Sequence, residues 1–160
     1  MGSFEEGILI TGLMHAIEKP SEDDPMSGLE LMVEDEVKLA VKTVLEERGY
    51  TVEVAWGHAR GVGLEARKEE ERLLIEAKGD APTPQMQGNY FLNAMGELDQ
   101  RMVDPDAEYG LAFPDVPPFR RLVERLPDHA VDALRLHAFL VGVQDNHWRM
   151  HWLAWDAPRS

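Results

Sequence analysis

Residues 72–79 read Arg72-Leu73-Leu74-Ile75-Glu76-Ala77-Lys78-Gly79 (RLLIEAKG). A short apolar run bounded by charges and a glycine predicts a strand over Arg72–Lys78. Alternation along that strand puts Glu76 and Lys78 on one face and Ile75 and Ala77 on the other. A carboxylate beside an amine suits metal-assisted phosphodiester hydrolysis, in which the carboxylate holds Mg²⁺ and the lysine positions a water or meets developing negative charge. The plainer reading is a solvent-facing ion pair at a strand end, since a Glu-x-Lys triplet arises often by chance in an acidic chain. What surrounds the triplet decides between the two.

Upstream, Val33, Val37, Ala40, Val41, Val44 and Leu45 recur at three- and four-residue steps, which predicts an amphipathic helix over Leu29–Arg48 with Gly49 at its C-terminal cap. Tyr50–Trp56 and Gly61–Lys68 follow as strands. With Arg72–Lys78 they make an antiparallel meander, the last turn being the charged KEEE at 68–71. Downstream, DAPTP at 80–84 is a loop and Gln85–Met102 has helical spacing. Tyr109–Phe113 reads as a buried strand, Pro118–Leu126 as a short helix with proline in its first turn, and Val131–Leu136 as a further helical turn. Ala138–Val143 and His147–Trp155 pair across the turn QDN at 144–146. The predicted order is α-β-β-β-α-β-α-β-β.

The breaker cluster KPSEDDPMSG at 19–28 separates a leading arm from this body. The expected organisation is therefore an N-terminal arm and linker over 1–28, a domain over 29–155 and a tail over 156–160, with the arm capping the domain or reaching a partner. At 160 residues, 44% hydrophobic and 29% charged, the chain has the balance of one globular domain. It contains no cysteine, which removes disulfides, thiolate catalysis and zinc-thiolate sites and fits a cytoplasmic protein. The apolar stretch Gly7–Ile17 is far shorter than the roughly 20 residues of a membrane span, so no membrane is expected. The formal net charge of −14 argues against a chain-wide basic footprint for nucleic acid and leaves room for a local patch.

The order of elements, with Glu34-Asp35-Glu36-Val37 opening a helix, Gly49-Tyr50 closing it, GVGLEA at 61–66, IEAKG at 75–79, Gln85–Met102 and YGLAFPD at 109–115, resembles the PD-(D/E)xK nuclease superfamily. Within it the chain is most similar to small stand-alone bacterial proteins. The resemblance spans roughly Glu34 to Val143. It implies a restriction-endonuclease-like α-β-β-β-α-β core with a mixed central sheet, in which Glu76 is a metal ligand, the Ala77 carbonyl is a second candidate, Lys78 is catalytic and Gln87 lends a polar group. It also implies Mg²⁺, or Mn²⁺, and nucleic acid as substrate, with DNA favoured. The family's preceding strand carries a ligand aspartate near the third residue of Gly61-Val62-Gly63-Leu64-Glu65, and this chain has Gly63 there.

Glu65, on the same face and roughly 6 to 7 Å further along, is the candidate replacement ligand. Glu34 and Glu36 both stand where related nucleases place another carboxylate; helical phase favours Glu34, while stabilisation of the helix dipole explains either. Arg101, Arg120, Arg121 and Arg125 are candidates for phosphate contact, with solvated helix faces the commoner cause. His58, in a loop, is another candidate with an exposed polar residue as its default. Trp148 and Trp152 share a strand face that suits a buried edge or a homodimer contact.

These readings lead to a metal-dependent nuclease whose site lacks one expected acid. From a different class comes a nuclease-like scaffold without catalysis that serves as a binding or regulatory subunit for a protein partner, favoured by Gly63. A third is an acidic mimic of nucleic acid, motivated by the net charge alone.

Overall fold

The computed structural model describes residues 3–13, 31–57 and 61–156. Its elements are β1 (Ser3–Phe4), β2 (Ile8–Leu13), α1 (Glu34–Glu47), β3 (Thr51–Val54), β4 (Leu64–Lys68), β5 (Glu71–Ala77), α2 (Pro84–Gln100), β6 (Glu108–Pro114), α3 (Pro117–Glu124), α4 (Asp128–Leu134), β7 (Leu136–Gln144), β8 (His147–Leu153) and β9 (Trp155–Asp156). Seven strands form one mixed sheet in the order β2-β8-β7-β6-β5-β4-β3. The meander β3-β4-β5 is antiparallel as expected, β6 runs parallel to β5, and β7 runs parallel to β6. From α1 to β6 the elements run α-β-β-β-α-β on a mixed central sheet, the order and sheet type expected from the sequence.

Both faces of the sheet are covered, which is why β5 and β6 read as near-continuous apolar runs. Leu73, Ile75 and Ala77 join Val37, Ala40, Val41, Val44 and Leu45 of α1 in one core. Leu74 turns the other way, joining Phe91, Ala94 and Leu98 of α2 with Phe119 and Val131 from α3 and α4. The β7–β8 hairpin turns at Asp145 and Asn146, whose φ values of 52° and 61° suit a two-residue turn matched to strand twist. Trp148 and Trp152 are buried in the first core, which settles the choice of a buried edge over a dimer contact for those two side chains.

Two helix boundaries differ from expectation. The first helix begins at Glu34 rather than Leu29, and Leu29 and Glu30 lie outside the described residues. Residues 31–33 are drawn instead to the end of β5, where the Met32 carbonyl accepts the Asp80 N–H at 2.7 Å. Gly79 makes that approach possible, since a Cβ there would stand 2.6 Å from the Glu34 nitrogen. The short helix expected at Val131–Leu136 is α4, three residues earlier; Arg135 ends it in the left-handed conformation (φ 47°) and Leu136 opens β7. The described part of the leading arm lies on the domain, where β2 pairs antiparallel with β8 from Ile8↔Trp152 to Leu13↔His147 and β1 pairs with β9. The 19–28 linker and His58 lie outside the described residues. Among the described residues, no helix is long and apolar enough to cross a membrane.

Candidate active site

Strand β5 carries Glu76 to the end of the sheet, where its side chain faces α2 and its neighbours Ile75 and Ala77 face α1. The residue is 5% exposed. Among the described residues, its Oε1 has no hydrogen-bond partner, and the Arg101 Nε lies 3.7 Å away. Burial pushes the Glu76 carboxyl up to about 7, and the charge of Glu97 pushes in the same direction; Arg101, Lys78 and the backbone N–H of Gly63 pull against them. A carboxyl so placed exchanges its proton near neutrality, a property that clusters at functional sites.

Glu76 opens into a cleft of ≈ 570 Å³. Helix α1 lines it with Glu34 and Lys38, the stretch between β3 and β4 with Ala55, Gly57, Gly61 and Gly63, the end of β5 with Ala77 and Lys78, and α2 with Glu97 and Arg101. Lys38 is 3% exposed and fully engaged: its Nζ donates to the Ala55 carbonyl at 2.6 Å and pairs with Glu34 Oε2 at 2.9 Å. The i,i+4 spacing on α1 sets that ion pair. Lys78 Nζ reaches across to Glu97 Oε1 at 3.0 Å, so the amine of the Glu-x-Lys triplet is held by a carboxylate of the following helix.

The structure thus brings Glu76, Lys78 and Glu34 into one cleft and answers the choice between Glu34 and Glu36, since Glu34 is the one that lines it. Two other expected residues are elsewhere. Glu65 Oε1 accepts from Arg72 at 2.8 Å and from Arg67 at 2.6 Å, and Arg72 continues to Asp104. Burial raises the Glu65 carboxyl and is outweighed by the hydrogen bonds and charges of Arg72 and Arg67, which hold it below the usual range. It lies outside the cleft, because a strand repeat moves its head away from position 63 and two guanidiniums keep it there. Gln87 is buried on α2 and donates from Nε2 to Asp80 Oδ1 at 2.8 Å, pinning the loop after β5 rather than lining the cleft. Arg120 is paired with Asp115, away from the cleft lining.

Lys38 and Glu97 are the cleft residues that the sequence reading did not single out. Lys38 was legible as the i+4 partner of Glu34. Glu97 stands three residues after buried Ala94 and four before Arg101, so Glu97 and Arg101 share one flank of α2. Among the described residues, no three acidic or histidine side chains converge as a ready metal cage.

No protein-family model and no curated protein matches the chain. Among solved structures, the chain is similar to an XisH family protein from Nostoc punctiforme PCC 73102, with 19% sequence identity and a TM-score of 0.43 over 69% of this chain and 93% of that one.

Proposed function

We propose that the chain is a nuclease-like protein that acts on nucleic acid, DNA before RNA, by divalent-cation-dependent hydrolysis of a phosphodiester. The observation that carries this reading is the Glu76 carboxylate, nearly fully buried with one oxygen unpartnered, at the edge of a cleft that also holds Lys78 and Arg101. In a chain of net charge −14, the cleft sets three cations, Lys38, Lys78 and Arg101, against three acids, Glu34, Glu76 and Glu97, so a phosphate approaching it meets cations that much of the acidic surface lacks.

The residues fit a cation held by few protein ligands. Mg²⁺ is commonly bound through one or two carboxylates together with substrate phosphate, so a complete protein cage is not required. Glu76 would be the principal ligand, by the orphan oxygen, with the neighbouring Ala77 carbonyl available at the same strand end. When bound, such a cation polarises the phosphate and lowers the pKa of a coordinated water. Lys78, two residues on, meets negative charge developing on the phosphate, and Arg101 anchors a non-bridging oxygen. The part of Lys38 is to fix α1 against the β3 end of the cleft through Ala55 and Glu34.

The test is cleavage of labelled single- and double-stranded DNA and RNA with Mg²⁺ or Mn²⁺. Wild-type cutting reduced at least 100-fold in Glu76→Gln and Lys78→Met supports the reading. A silent wild-type protein, or one whose cutting survives Glu76→Gln, overturns it, and silence would make a non-catalytic binding subunit the reading to pursue.

A further inference from the structure

Position 63 is tight for the carboxylate that the site lacks. A Cβ on Gly63 would stand 3.0 Å from the Ile75 carbonyl oxygen, a backbone atom that cannot swing aside. With glycine at this tight position, a second acid for a cation beside Glu76 comes from another element. The cleft holds two candidates, Glu34 and Glu97.

Glu34 is committed. Its Oε2 balances Lys38 at 2.9 Å, a lysine whose side chain is 4% exposed and whose other oxygen partners are the neutral Ala55 carbonyl and the more distant Asp35 carboxylate at 3.9 Å. Removing Glu34 from that pair leaves a buried ammonium short of its counter-charge, which is costly. Glu97 has the opposite character. It is 48% exposed on its side chain, it rises from the helix that Glu76 faces, and among the described residues its partner is the Lys78 amine, on a side chain 18% exposed. Glu97 and Glu76 line the same cleft.

We propose that Glu97 is the second carboxylate of the cation site, supplying from α2 what the glycine at position 63 does not, with Lys78 holding it beside Glu76 until a cation and a phosphate arrive. The inference rests on the cation-dependent reading above and deepens it. The buried, unpartnered Oε1 of Glu76 is the independent sign that a ligand belongs there. Lys78 then has two duties in sequence: it neutralises Glu97 in the empty cleft, and it turns to the phosphate once the cation takes that carboxylate.

Direct Mn²⁺ binding tests this without relying on cleavage. Free Mn²⁺ is followed by electron paramagnetic resonance during titration of wild type, Glu76→Gln, Glu97→Gln, Glu97→Asp and Glu34→Gln, each checked for unchanged circular dichroism. The expected result is loss of binding in Glu76→Gln, at least a tenfold weaker affinity in Glu97→Gln, partial recovery in Glu97→Asp, and an affinity within about threefold of wild type in Glu34→Gln. If Glu76→Gln loses Mn²⁺ while Glu97→Gln binds as wild type, or if Glu34→Gln is the variant that weakens, the role of Glu97 is overturned and the cation reading stands. If the wild type binds no Mn²⁺, or Glu76→Gln binds as well as wild type, the cation reading fails and this inference fails with it.

Discussion

Gly63 faces Glu76 across the start of the β4–β5 ladder: a Cβ on Gly63 would lie 3.6 Å from Glu76 Oε2 and 3.0 Å from the carbonyl oxygen of Ile75. The glycine lets β4 close on β5 while its backbone N–H serves the carboxylate. Gly63→Ala is therefore expected to destabilise the protein by about 1–2 kcal/mol, the usual cost of overpacking against a part that cannot move. Urea unfolding measures it. An alanine variant as stable as wild type would show that β4 has slack here and that an aspartate could be restored at this position.

The raised carboxyl of Glu76 makes a second prediction. Its folded-state value of about 7 lies above the ordinary 4.5, so the folded protein holds this proton more tightly than the unfolded chain does. That contribution to stability is fully present below about pH 4.5, is lost as pH rises through 7, and changes no further above it. Without added metal, Glu76→Gln should be more stable than wild type above pH 7, by on the order of 2 kcal/mol, and should lose that advantage below pH 5. Thermal unfolding of both proteins across pH 4.5–8.5 reads it directly. A constant difference across that range would mean that Glu76 titrates normally.

The alternation in RLLIEAK and the three- and four-residue steps of α1 are strong local signals, and both survive because the apolar residues they mark, Ile75 and Val41 among them, are those the sheet and α1 bury. The mixed sheet was legible from element order. What local pattern could not supply is competition between segments. Residues 31–33 continue the helical periodicity, yet the Asp80 N–H claims the Met32 carbonyl, and only the folded backbone at Gly79 reveals it. Glu65 looked able to replace an aspartate because strand rise was the only constraint in view; Arg72, seven residues away in sequence and close across the β4–β5 ladder, captures it. On α2 the helical spacing was legible but its rotation was not: Gln87, Phe91, Ala94 and Leu98 are the buried positions, and that rotation brings Glu97 and Arg101 to the cleft.

Away from the cleft, His137 is a structural junction. Its Nδ1 accepts from Trp152 Nε1–H at 3.1 Å and from the Trp155 backbone N–H at 3.2 Å, so the ring proton sits on Nε2, which donates to Glu108 at 2.8 Å. His137→Leu keeps the approximate volume and leaves two donors without an acceptor. The expected cost is about 2–4 kcal/mol, from two largely buried unpaired donors. Chemical unfolding followed by tryptophan fluorescence gives the stability. A cost under about 1 kcal/mol would show that water replaces the imidazole.

The leading strand supplies the last prediction. Strand β2 pairs with β8 over six residues, and Ile8 and Ile10 pack against the core that contains Trp148, Met150 and Trp152. Removing residues 1–13 strips that cover and leaves the backbone N–H and C=O groups of β8 at an open edge. Two partly buried isoleucines contribute on the order of 2–4 kcal/mol together. The truncated protein should lose about that much stability, and because an unpaired edge strand is a template for another chain, it should also associate as its concentration rises while the full chain does not change over the same range. Urea unfolding and light scattering after size-exclusion chromatography follow the two effects separately. A truncated protein as stable and as dispersed as the full chain would mean that β2 rests on the sheet without contributing to it, and that the first residues serve a contact outside this domain.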